Sequence, residues 1–141
     1  MPEHATTDAE IAACYEVMAE LRPQVPRERF LPLVKSMHAD GYRLACIREG
    51  GRVVAVAGYR ISTNLFYGRN LYVDDLVTAG SERSKGHGRT LLDWLKQLAR
   101  DTGCDAFHLD SGVQRKRAHE FYLREGLELS SYHFSTRLPA R

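Results

Sequence analysis

Arg83-Ser84-Lys85-Gly86-His87-Gly88-Arg89 is the stretch whose reading decides the fold. It follows an apolar, strand-like run, Leu71-Tyr72-Val73-Asp74-Asp75-Leu76-Val77. A helix is predicted after it, starting near Arg89 and carrying Leu91, Leu92, Trp94, Leu95 and Leu98 on an apolar face. A glycine-bearing turn that opens a helix leaves several backbone N–H groups unpaired at the positive end of the helix dipole. Gly86 and Gly88 have no side chains to hold an anion away from that backbone. Arg83, Lys85 and Arg89 add positive charge. The segment therefore reads as a cradle for a phosphate-bearing ligand.

Two other phosphate loops do not fit. No stretch supplies the G-x-x-x-x-G-K-[ST] of a P-loop. The dinucleotide fingerprint needs a third small residue where Leu91 stands. Asp110 lies at a tolerable distance for a ribose contact, but only about 50 residues follow the loop, too few for two mononucleotide-binding halves.

The strand followed by Arg83-x-x-Gly86-x-Gly88 resembles motif A of the GNAT superfamily of acyl-CoA-dependent N-acetyltransferases. A second stretch, Ala118-His119-Glu120-Phe121-Tyr122-Leu123-Arg124-Glu125-Gly126-Leu127, resembles the A-x-x-[FL]-Y-x-x-x-G-F segment of the same family, with Leu127 in place of Phe. The two lie in the family's order, one helix and one strand apart. The resemblance implies one α/β domain over residues 1–141. Its sheet would be mixed and mostly antiparallel, with a central parallel strand pair that splays apart, flanked by about four helices.

It also implies acetyl-CoA as acyl donor. The pantetheine arm would enter the splay like an extra strand, against Leu76, Val77 and Thr78, and the thioester oxygen would meet a strand N–H near Val77. The N–H groups of Ser84, Lys85, Gly86, His87, Gly88 and Arg89 would hold the pyrophosphate, with help from Arg83 and the Thr90 hydroxyl. Ser111 is a further pantetheine candidate. Arg115 stands where the family often has Asn, so Arg115 or Lys116 would instead reach the ribose phosphate. Tyr122 takes the place of the tyrosine that protonates the leaving thiolate; the alternative is a core tyrosine with a satisfied hydroxyl.

Acyl transfer to an amine also needs the amine without its proton. An alkylammonium has a pKa of about 10.4, so only a trace is neutral at pH 7 and a base helps. Asp74 and Asp75 are the candidates, carboxylates in mid-strand where apolar residues are ordinary. Adjacent strand residues point to opposite faces, so one would enter the cleft and the other face away. The pair resembles the Glu-Asp pair of spermidine/spermine N-acetyltransferases, and that match favours Asp74 as base or ammonium anchor. The alternative is a carboxylate salt-bridged to Arg43 or Arg60 on a neighbouring strand. Tyr59, Tyr67, Tyr72 and Phe30 are candidates to line an acceptor pocket.

Composition narrows the other classes. The 141 residues suit one domain, and a net charge of +2 makes no case for nucleic acid. Cys14, Cys46 and Cys104 form no C-x-x-C and read as buried thiols, and the six histidines show no metal-ligand spacing. Neither a membrane-spanning run nor a signal peptide is evident, so a cytoplasmic location is expected.

Along the chain, Thr7-Asp8-Ala9-Glu10 reads as a capping box, opening a helix through Ile11, Cys14, Tyr15, Met18 and Leu21. A second helix is expected from 26 or 27 to about 39, with Pro32 tolerable only in its first turns. Strands are expected at 42–48, 53–61, 71–78 and 106–110, helices at 89–101 and 114–125, and a closing strand at 127–136. Residues 1–6 match the family's first strand poorly. The function these readings imply is acetyl transfer from acetyl-CoA to a primary amine by direct attack. The acidic pair hints at a cationic small acceptor, with a protein amine as the other option. Dimers are common in the family. A non-catalytic acyl-CoA-binding or sensing module on the same fold is the alternative.

Overall fold

The computed structural model describes residues 1–140. Two compact units divide the chain, Met1–Leu109 and the stretch from Asp110 onward. The first holds β1 (Glu3–His4), α1 (Asp8–Ala13), α2 (Tyr15–Leu21), α3 (Arg27–His38), β2 (Arg43–Glu49), β3 (Arg52–Asn64), β4 (Gly68–Thr78), α4 (His87–Asp101) and β5 (Ala106–Leu109), with a 3₁₀ turn at Gly80–Glu82. The second holds α5 (Lys116–Arg124).

Thr7 caps α1 as its sequence predicts: its side chain accepts from the Glu10 N–H at 3.1 Å, and Glu10 Oε1 accepts from the Thr7 N–H at 3.0 Å. The expected single N-terminal helix breaks at Cys14 into α1 and α2. Pro32 lies in the second turn of α3, and the helix runs through it. Ile11, Cys14, Val17 and Met18 pack with Phe30 and Val34 of α3 against Leu44, Cys46, Val56 and Val77 of the sheet. Leu91, Leu92 and Leu95 of α4 are fully buried. Each such leucine contributes roughly 1.5–3 kcal/mol of transfer free energy.

The sheet order is β1-β2-β3-β4-β5, antiparallel except for β4 and β5. β1 is only two residues long, but His4 Nε2 meets the Tyr59 hydroxyl at 2.7 Å and its ring packs edge-on against Trp94. The parallel ladder runs from Asn70–Ala106 to Val73–Leu109 and stops. β4 continues five residues further, paired there with β3 alone. The ladder stops where β5 itself ends, at Leu109.

Two expectations need correction. The closing strand at 127–136 is not formed, and the parallel pair accordingly sits at the sheet's edge rather than its centre. Leu129, Tyr132, Phe134 and Leu138 are exposed, so the apolar burial that repays the entropy of ordering a strand is missing there.

Candidate active site

Five strand residues, Asp74–Thr78, and the first turn of α4 form the end of the first unit that matters for a phosphate-bearing ligand. Beyond Val73, β4 has no β5 neighbour, so within this unit one edge of its backbone through Leu76, Val77 and Thr78 pairs with no strand and suits another extended chain. Gly86 caps α4 with φ +84, a left-handed conformation that L side chains adopt only under strain. The N–H groups of His87, Gly88 and Arg89 have no intrahelical acceptor, by the geometry of a first turn. Arg83, Ser84, Arg89 and Thr90 are exposed around it.

Several side chains there have other work. The Thr90 hydroxyl donates back to the Gly86 carbonyl at 3.0 Å. Lys85 Nζ donates to Glu82 Oε2 at 2.8 Å, and Arg52 lies 3.3 Å from Glu82 Oε1. Glu82 is buried, and its carboxyl is held below the usual range, chiefly by Lys85. His87 turns inward, its Nε2 3.5 Å from Glu49 and without a hydrogen-bond partner. One ligand atom each from Glu49, Glu82 and His87 falls within 4.8 Å of the others, a spacing that suits a cation. Two cationic side chains already neutralise Glu82, so the group is an ion-pair strut under the loop. Lys85 and His87 thus present backbone to a ligand, with their side chains turned to this strut.

The acidic pair sits where the strand is irregular. Gly58 pairs with Asp75 and Tyr59 with Val73, which leaves Asp74 as the extra residue of a bulge in β4. A bulge resets the alternation of faces, so Asp74 and Asp75 do not diverge as a regular strand would make them. Asp75 Oδ2 accepts from the Tyr42 hydroxyl at 2.7 Å, and its Oδ1 from Arg22 Nε at 2.8 Å. Arg22 Nη2 also donates to the Asp74 carbonyl at 2.8 Å. Asp74 Oδ2 accepts from Arg60 Nε at 3.2 Å, and the Arg60 guanidinium lies 5.6 Å from the Tyr42 ring centroid. Both carboxylates therefore converge on one cluster. Of the two arginines weighed from sequence, Arg60 makes the salt bridge, while Arg43 donates to the His38 and Tyr42 carbonyls.

The two acids differ in what remains available. Asp75 has both oxygens engaged; Asp74 Oδ1 is buried and has no partner. Burial raises the Asp74 pKa, Arg60 lowers it, and Asp75 adds to the rise; the net shift is upward. A carboxyl displaced that way is a better base at neutral pH than a solvated aspartate. Further along the same strands, Arg60 pairs across from Tyr72, and Tyr72 from His108 on β5. Tyr67 stacks on His108 with ring centroids 4.2 Å apart, and His108 Nε2 meets buried Asn70 at 2.8 Å. Of the aromatic residues considered for an acceptor pocket, Tyr67 and Tyr72 join this face, whereas Phe30 lies in the helical core and Tyr59 bonds His4. A separate cavity of about 310 Å³ is lined by Glu16, Glu20, Arg52 and Ala79 among others; its acidic wall does not suit a phosphate ligand.

A family model for the acetyltransferase (GNAT) family matches residues 9–127, which includes both motifs and both strands of the parallel pair. The chain belongs to the GNAT acetyltransferase family. It is 35% identical over 131 residues to an uncharacterized N-acetyltransferase of Bacillus subtilis (strain 168), with 92% of each chain covered. It is 32% identical over 140 residues to an aminoalkylphosphonate N-acetyltransferase of Salmonella typhimurium, covering 96% of this chain and 89% of that one. Its fold matches the aminoglycoside acetyltransferase AAC(6')-Iy solved with a CoA bisubstrate analogue, at TM-score 0.85 and 13% identity, over 99% and 98% of the two chains.

In the second unit, Tyr122, singled out by the second motif, is buried on α5, while Phe121 beside it is only half-buried. Burial raises the Tyr122 pKa, and the Arg115 guanidinium pulls it the other way. The phenol is thus kept protonated at neutral pH, the state a proton donor needs. The Arg115 guanidinium thus lies close to the Tyr122 phenol. The Ser111 Oγ is buried and has no hydrogen-bond partner. His119 Nε2 meets the Gly112 carbonyl at 2.8 Å.

Sequence reading missed Arg22, Tyr42 and Gly58. A Cβ on Gly58 would lie 1.8 Å from the Tyr42 hydroxyl oxygen, so that phenol reaches Asp75 only because residue 58 has no side chain. A glycine inside an apolar strand was the available signal, since such a glycine marks a bulge or a close approach.

Proposed function

We propose that the chain transfers the acetyl group of acetyl-CoA to a small primary amine by direct attack. The observation that carries this is the backbone edge of β4 from Leu76 to Thr78, left unpaired by β5 and adjoining in sequence a helix start with unpaired N–H groups. Those two features fit the cofactor's two polar parts. The strand edge suits the amides of a pantetheine arm, and the α4 N-terminus suits a pyrophosphate. Bound there, acetyl-CoA supplies an activated acyl group.

The remaining roles belong to the chain. Asp74 takes the amine's proton, directly or through water, and Asp75 stays fixed by Tyr42 and Arg22 as a charged support. A β4 N–H near Val77 donates to the developing charge on the thioester oxygen. Tyr122 returns a proton to the thiolate; the motif match supports that role, as does a phenol held protonated. The chain's similarity to an aminoalkylphosphonate N-acetyltransferase supports a small acceptor over a protein amine.

Release of CoA thiol from acetyl-CoA, followed with a panel of primary amines, tests the proposal. Amine-dependent release is expected. Binding of CoA without turnover for any amine would favour the acyl-CoA-sensing alternative.

A further inference from the structure

The acidic pair looks, in sequence, like a site for a polycation. Its surroundings say otherwise. Each carboxylate already has its own guanidinium: Asp75 has Arg22, and Asp74 has Arg60. Two negative and two positive charges leave no surplus to attract a second ammonium.

The two arginines are not equivalent. Arg22 spends Nε on Asp75 and Nη2 on the Asp74 carbonyl. Arg60 spends only Nε on Asp74, while the rest of its planar fork, whose geometry suits phosphonate or carboxylate oxygens, makes no other hydrogen bond to described residues. Its side chain is 31% exposed, and its place in the strand is fixed by pairing with Tyr72 and by the ring of Tyr42. Asp74 has the complementary property, an oxygen with no donor. That oxygen is buried, while the Asp74 side chain as a whole is 21% exposed, so an ammonium would meet the carboxylate from its exposed side.

From this juxtaposition we infer that the acceptor is a zwitterion: a primary amine joined by a short spacer to an anionic group. Asp74 receives the ammonium and Arg60 the anion. Such an acceptor adds no net charge to a balanced cluster, gives the Asp74 carboxylate a further donor and fills the free guanidinium fork. Tyr72, next to Arg60 across the ladder, and the Tyr67–His108 stack beyond it supply an aromatic wall along the same strands. The spacer must be short because the two charged groups are themselves bonded neighbours. Arg60 is then a specificity-determining residue. The inference rests on the acetyltransferase reading above.

The test compares kcat/KM for four amines of matched length: 3-aminopropylphosphonate, β-alanine, propylamine and 1,3-diaminopropane. At least one anionic acceptor should exceed both of the others by tenfold or more. In Arg60→Met that preference should shrink to within about threefold, and Arg60→Lys should restore part of it. The ratio between acceptors is the readout, because losing Arg60 also perturbs Asp74 and slows every substrate. Calorimetric CoA affinity confirms that each variant is folded. Should the diamine or propylamine be the best acceptor, or should Arg60→Met keep the wild-type ratio, the zwitterion is wrong while acetyl transfer stands. An absence of thiol release with every amine, alongside intact CoA binding, would overturn the acetyltransferase reading and this inference with it.

Discussion

The outer end of β4 and the middle of β4 are built from different material. At the outer end, Leu76–Thr78 and the α4 start at Gly86 offer main-chain groups. In the middle, Asp74 and Asp75 offer side chains held by Tyr42, Arg22 and Arg60 from other elements. A backbone site needs only the right turn and glycine at the right place, and it tolerates many side chains. A side-chain site depends on where each carboxylate points, and here a bulge decides that. The first kind should fail gradually when mutated and the second abruptly.

The sharpest separation is expected at Asp74. Asp74→Asn should lower turnover by about 10²-fold or more, the scale of a lost general base, with little change in CoA affinity. Tyr122→Phe should lower it at least about tenfold; unchanged thiol release would remove Tyr122 from the acid's role. Gly58→Ala drives a methyl into the Tyr42 phenol and should cost about 1–3 kcal/mol, seen as a lower denaturation midpoint together with lost activity. At the backbone end, Gly86→Val should weaken acetyl-CoA binding about tenfold through strain at φ +84, with kcat nearly kept. An equal loss of kcat there would blur the two regions into one.

The pH profile sharpens the same contrast. Burial displaces the Asp74 pKa upward, so activity should fall, as pH drops, at a higher pH than a solvated aspartate would give. Asp74→Asn should lose that limb. Glu10 shows the opposite sign: its N–H partners in the capping box pull its pKa down to about 2. Its contribution to stability is present above the unfolded value and is lost as pH falls toward 2. Thr7→Ala, which removes the reciprocal half of that box, should cost about 1 kcal/mol at neutral pH.

What could be read in advance follows the same division. The Arg83-x-x-Gly86-x-Gly88 turn, the flanking strand and helix, and the Thr7–Glu10 cap are local patterns, and the structure repeats them within a few residues. The parallel pairing of β4 with β5 was legible through family resemblance. The convergence of Asp74 and Asp75 was not, because strict alternation holds only in a regular ladder and one extra residue resets it. The committed side chains of Lys85, His87 and Thr90 were also hidden; Glu82, which holds Lys85, looks in sequence like any surface acid. The strand expected at 127–136 failed for another reason. Its Tyr132 and Phe134 have strand-like spacing, yet spacing says nothing about whether a neighbour exists to bury them.

Hydrogen exchange of the chain with and without CoA tests the central claim most directly. The account predicts that CoA slows exchange at the amides of Leu76–Thr78 on the open edge of β4 and of His87–Arg89 at the start of α4. Protection confined to other segments, with these amides exchanging at their free rate, would contradict it.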